Sequence, residues 1–155
     1  MTEITEGSKA PAFDMPTHDG GRVSSEGLKG KPFVLYFYPK ADTPSCTTEG
    51  QDFTALLPQF EAAGVAVIGV SRDPVKTLAR FAVKRELGVV LVSDEDGAVT
   101  EAYGVWGEKT LYGRVYMGIE RATFLIDSDG VIRQAWRKVS VKGHAQAVLD
   151  AVAAL

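Results

Sequence analysis

The sequence holds one cysteine, Cys46, in 155 residues. No disulfide can close within these residues, and without a Cys-x-x-Cys pair a dithiol oxidoreductase is a weak reading. Histidine is nearly as scarce. His18 lies in an irregular lead-in and His144 near the start of the last helix. Both read as solvated residues, which leaves a cysteine hydrolase without its base. No apolar run approaches the eighteen or so residues of a membrane span. The N-terminus carries Glu3, Glu6 and Lys9 where a secretory signal would have an apolar core. Lys and Arg are scattered, and the net charge is −3 with a pI near 5.4. Neither nucleic acid nor an anionic membrane is therefore an expected partner. A reducing cytoplasm is the expected location.

What is present is ordinary for a globular domain, with 45% hydrophobic and 24% charged residues. No repeat, low-complexity tract or linker divides the chain, so residues 1–155 read as one domain with a substantial core. Residues up to about 32 form a lead-in with Gly20-Gly21 as a turn. Strands and helices then alternate. Phe33 to Phe37 is an all-apolar strand, followed by a helix with Phe53, Leu56, Leu57 and Phe60 at core spacing. Val65 to Val70 is a second buried strand. Asp73-Pro74 reads as a capped helix start, with Gly88 as the stop. Val89 to Val92 is a third strand, and Asp94-Glu95-Asp96 reads as a solvated cap for a short helix near 97–103. Ala122 to Ile126 and Val131 to Trp136 flank the hairpin turn Asp127-Ser128-Asp129-Gly130. A helix with Ala145, Val148, Leu149 and Val152 inward closes the chain. The order βαβ, insertion, β-hairpin, helix is that of a thioredoxin-like α/β sandwich, a mixed sheet between helices, with an N-terminal extension and an insertion.

Cys46 lies between the first apolar strand and its helix, in Pro39-Lys40-Ala41-Asp42-Thr43-Pro44-Ser45-Cys46. Thr43 is a suitable N-cap and Pro44 suits the first helical position. Cys46 then falls in the first turn, near unpaired backbone N–H groups and the positive end of the helix dipole, a setting that favours thiolate. A buried, inert cysteine is the alternative. A working thiolate also calls for a cation. Arg121 opens the strand that thioredoxin-like packing sets beside the first one, and its guanidinium can stabilise a thiolate and donate to an oxygen ligand. A surface salt bridge with Glu120 or Asp127 is the plainer reading. The Thr43 hydroxyl has two compatible roles, capping the helix and facing whatever approaches the sulfur.

The run Phe37-Tyr38-Pro39-Lys40-Ala41-Asp42-Thr43-Pro44-Ser45-Cys46-Thr47-Thr48-Glu49 resembles the peroxiredoxin active-site signature, most closely the Q-type, or bacterioferritin-comigratory-protein, branch. Tyr103 to Lys109, Tyr112-Gly113, Gly118 to Phe124 and Lys9 to Phe13 resemble the same branch. The resemblance implies a thiol peroxidase with Cys46 as peroxidatic cysteine. Thr43, Arg121 and Pro39 would form the peroxide pocket, with Tyr38 as a further substrate-binding residue. It also implies a cycle with no metal or cofactor. Many members of the branch carry a resolving cysteine five residues after the peroxidatic one, or in the next helix. Here the first position is Gln51, and Val75 to Leu87 contains no cysteine. An external thiol, from thioredoxin, glutaredoxin or a small molecule, is then the expected reductant. A stoichiometric peroxide sensor or redox-regulated binding protein is the rival reading. Val105 to Met117 either lines the pocket rim or simply packs, and a monomer is expected.

Overall fold

The computed structural model describes residues 4–155, so Glu3 and the first residues of the expected domain lie outside it. A short antiparallel pair, β1 (Asp14–Pro16) and β2 (Arg22–Ser24), turns through Gly20-Gly21 and precedes β3 (Phe33–Phe37). Then follow α1 (Pro44–Ala62), β4 (Ala66–Ser71), α2 (Val75–Lys84), β5 (Val90–Ser93) and α3 (Ala98–Ala102). A second hairpin, β6 (Trp106–Leu111) and β7 (Arg114–Ile119), leads to β8 (Ala122–Ile126), β9 (Ile132–Trp136) and α4 (His144–Val152).

The main sheet has the order β5-β4-β3-β8-β9. Strands β3, β4 and β5 are parallel, joined by the α1 and α2 crossovers, while β8 and β9 run antiparallel to β3 and to each other. The result is the thioredoxin-like sandwich, β3-α1-β4 and β8-β9-α4, with everything between as insertion. All five residues of β3 are buried because its two faces serve two apolar layers. Val34 and Tyr36 join α1, α2 and α4 on one side, and Phe33, Leu35 and Phe37 join the N-terminal hairpin and α3 on the other. Among the described residues no helix is long and apolar enough to cross a membrane.

Three details differ from the sequence reading. Helix α2 is capped at Pro74 rather than Asp73, whose carboxylate is engaged elsewhere. It also ends at Lys84, before Gly88, because Leu87 and Val89 are drawn into the core and the chain turns through Glu86 at φ 56°. The β6–β7 hairpin was not legible as strands. Gly107 and Gly118 interrupt its pattern, and only Ile119 is fully buried.

Gly69 in β4 is fixed by the ring of Tyr36 on the neighbouring strand. A Cβ there would stand 2.6 Å from Tyr36 Cζ, closer than carbon atoms pack. Gly69→Ala should therefore lose about 1–3 kcal/mol of stability to overpacking, read from the midpoint of urea unfolding. An unchanged midpoint would mean that the two strands do not approach so closely.

Candidate active site

The loop from Tyr38 to Thr43 leaves the C-terminal end of β3 and delivers the chain to α1. Thr43 is the N-cap by backbone conformation (φ −94°, ψ 157°), and Pro44 fills the first turn where a missing N–H is harmless. Cys46 occupies the third helical position and is buried, 2% exposed. Thr43 does not cap with its side chain. Its hydroxyl donates to the Lys40 carbonyl at 2.8 Å, because a tight turn offers a nearer partner than the helix amides. The first turn of α1 thus has no side-chain cap. Pro39 is half-buried beside this turn.

Arg121, in the residue before β8, reaches across to α1. The β3–β8 register sets Ala122 opposite Phe37, so Arg121 emerges at the same end of the sheet as the Cys46 loop. Its Nη2 donates to Cys46 Sγ at 3.4 Å, and its Nη1 donates to Glu49 Oε1 at 2.6 Å. The salt bridge foreseen with Glu120 or Asp127 does not form. Glu120 pairs with Arg137 and Asp127 with Arg133, leaving Arg121 to the interior. Glu49 is 1% exposed and the Arg121 side chain 13%, so this is a buried ion pair held by its own hydrogen bond. Burial raises the Glu49 carboxyl to about 7, with Arg121 pulling the other way. Burial lowers the Arg121 pKa, but Glu49 and Cys46 outweigh it and the net shift is upward.

Glu49 is the residue that the sequence reading passed over. It lies three positions after Cys46, hence on the same face of α1, and that spacing was its one signal. Asp73 is another. Its Oδ2 accepts from the Ala41 amide at 2.8 Å and from Ser71 Oγ at 2.8 Å, tying the cysteine loop to the end of β4. Tyr38 is 1% exposed and lies beneath the site, its ring 6.1 Å from that of Phe81. Its hydroxyl is buried without a hydrogen-bond partner, and burial holds it far above the usual phenol range.

His144 is not solvated, and His18 is half-buried. His18 Nδ1 accepts the Leu91 amide at 3.2 Å, pinning the β1–β2 hairpin to β5. His144 is 6% exposed, its Nε2 2.8 Å from Thr123 Oγ1, with Phe53 and Trp136 edge-on. Burial, aided by the charge of Arg121, depresses it to about 4. Asp94 likewise is buried, not solvated, and caps α3 through the amides of Val99 and Thr100. Among the described residues no three His, Cys, Asp or Glu side chains are grouped to hold an ion.

A thioredoxin-like sheet whose first long helix begins on a buried thiol, with an arginine at hydrogen-bond distance, is the frame of a thiol enzyme. The AhpC/TSA family model matches residues 7–135. Peroxiredoxin Bcp of Xanthomonas campestris is 47% identical over 156 residues, covering 99% of this chain and 98% of that protein. A cysteine-to-serine mutant of Xylella fastidiosa PrxQ superposes with a TM-score of 0.93 at 39% identity, over 99% of this chain and 98% of that one. The bacterioferritin comigratory protein of X. campestris superposes with a TM-score of 0.87 at 47% identity, over 92% of this chain and 90% of that one. The chain belongs to the AhpC/TSA family, in its peroxiredoxin Bcp group. It is a thiol-dependent peroxidase, with a hydroperoxide as substrate and a thiol as reductant.

His144 makes the stability of this region sensitive to acid. The unfolded chain takes up its proton near 6.5 and the folded chain only near 4, so protonation between those values favours unfolding. The contribution is complete above about 6.5 and is lost as pH falls toward 4, on the order of 3 kcal/mol in all. Glu49 acts in the opposite sense, since the fold favours its protonated form. Comparing His144→Asn with the parent isolates the histidine. The gap in urea-unfolding free energy between parent and variant should shift in the parent's favour as pH rises through this window, and a gap that does not change with pH would place His144 in water.

Proposed function

We propose that Cys46 is the peroxidatic residue and that Arg121 and Thr43 assist it. The observation that carries this reading is the contact of Arg121 Nη2 with a buried Cys46 Sγ, made by a guanidinium whose other arm is fixed by Glu49. An arginine oriented before substrate arrives stabilises the thiolate and meets the peroxide without reorganising.

In the oxidative step the Cys46 thiolate attacks the terminal oxygen of the hydroperoxide in line with the O–O bond. An S–O bond forms, the O–O bond breaks, and its electron pair leaves with the distal oxygen. That oxygen takes a proton from solvent and departs as water or alcohol, leaving sulfenic acid. Arg121 and the uncapped first-turn amides donate to the two oxygens, and the Thr43 hydroxyl, whose own proton goes to the Lys40 carbonyl, accepts from the peroxide O–H, with Pro39 at the side and Tyr38 beneath. Hydrogen peroxide and organic hydroperoxides are both proposed substrates. In support of the second, the X. campestris bacterioferritin comigratory protein has alkyl peroxide reduction activity.

Recycling requires a thiol from outside these residues. Its sulfur attacks Cys46, the S–O bond breaks and water leaves. A second thiol then attacks the mixed disulfide and releases Cys46 as thiol with one disulfide product. Thioredoxin, glutaredoxin or a small thiol fits this role, and a supply of such thiols points to the cytoplasm. A monomer acting as one domain is the proposed form.

Cys46→Ser should abolish peroxide consumption in a coupled thiol assay, and turnover at the parent rate would end the assignment. Arg121→Lys keeps a charge for Glu49 but loses the two-armed donor. It should slow thiol loss to hydrogen peroxide by about 10- to 1,000-fold while the chain stays folded. An unchanged rate would remove Arg121 from the pocket.

A further inference from the structure

The first turn of α1 is held from outside itself. Its N-cap side chain is turned away, yet its sulfur is buried and has to reach an external thiol. What fixes this turn is α2. Before α2, Asp73 receives the Ala41 amide. At its C-terminal end, Lys84 and Arg85 converge on Asp42, the residue preceding the N-cap, with Lys84 Nζ on Oδ2 at 2.9 Å and Arg85 Nε on Oδ1 at 2.7 Å. Gln51 Nε2 also reaches the Arg85 carbonyl, at 3.5 Å. Asp42 sits at φ 62°, in the left-handed region, a strained placement for a non-glycine residue that its two cations hold in place. These groups differ in exposure. Asp73 is backed by buried Ser71 and Ser93, whereas the side chains of Asp42, Lys84 and Arg85 are 35%, 60% and 38% exposed.

We infer that Asp42, gripped by Lys84 and Arg85, is an electrostatic latch on the first turn of α1 that sets how readily an external thiol reaches oxidised Cys46. Asp42 is a positioning residue, since it acts through the turn and not on the reacting atoms. This inference rests on the reading of Cys46 given above. With the latch closed, the arginine-thiol pair is assembled and oxidation proceeds. With it open, the turn loosens and the sulfur is exposed to the S–S-forming attack. Because the closed form predominates, weakening the latch multiplies the small open population while barely depleting the closed one. The two half-reactions therefore respond unequally. The three charged side chains are partly in water, so salt weakens the latch, whereas a contact of packing alone would be indifferent to it.

The test compares the parent with Asp42→Asn, which keeps a residue tolerant of positive φ and removes the charge, and with the double variant Lys84→Gln/Arg85→Gln. Each is oxidised with one equivalent of hydrogen peroxide, timed, and checked by intact mass for one added oxygen. Recovery of the thiol is then followed with excess dithiothreitol and with thioredoxin, at about 20 mM and about 500 mM salt, on either side of the screening range. At low salt both variants should recover about threefold to tenfold faster than the parent, the range expected for losing two partly exposed ion pairs. High salt should move the parent part of the way toward the variants and leave them nearly unmoved, with oxidation rates within about twofold throughout. Recovery that ignores both substitution and salt would overturn the latch alone. So would oxidation slowed as much as recovery is changed. Failure to add oxygen would overturn the reading of Cys46 and the latch with it.

Discussion

The Arg121 guanidinium is committed twice, to Glu49 and to Cys46, and both commitments lie out of water. A lone arginine in such a place would be costly to bury, and a lone carboxylate more so. Together they allow a charged group to stand beside the sulfur without a flexible stem exposed to solvent. The rest of the fold serves this arrangement. The antiparallel β3–β8 register brings residue 121 to the end of the sheet where α1 begins. Apolar layers on both faces keep those two strands from shifting. The pair also binds two distant parts of the chain, since α1 follows β3 directly while Arg121 arrives after the whole insertion.

The architecture was largely legible in the sequence because its strands are buried on both faces. Phe33 to Phe37 is an uninterrupted apolar run and Ala122 to Ile126 is broken only by Thr123, a pattern that few other structures explain. The thiol was legible for another reason, the rarity of its residue type combined with a helix start. What the sequence concealed is long-range polar pairing. Nothing local says that Arg121 prefers Glu49 over its neighbours Glu120 and Asp127, because that choice is made by burial, which only the assembled sheet defines. The same holds for His144 and Asp94, ordinary surface residue types that become interior once α4 and α3 dock. Thr43 failed as a side-chain cap for a local reason of its own, the competing carbonyl of Lys40. The β6–β7 hairpin was hidden because its residues face water on most sides and carry no core pattern.

The insertion does more than lengthen the chain. Helix α2 grips the cysteine loop from both of its ends, and Arg72, just before it, stacks on Trp106 at the base of the second hairpin, 3.4 Å from the ring centroid. Neighbouring contacts therefore couple the loop that presents the thiol to parts of the fold that carry no reacting group.

The single cysteine has a kinetic consequence. A resolving thiol on the same chain would meet the oxidised sulfur at a fixed effective concentration, in the millimolar range or above for a short tether. With none in these 155 residues, recycling is a bimolecular encounter whose rate rises and falls with the surrounding thiol pool. Turnover thus becomes a readout of that pool, and when it is depleted the population accumulates in the oxidised form.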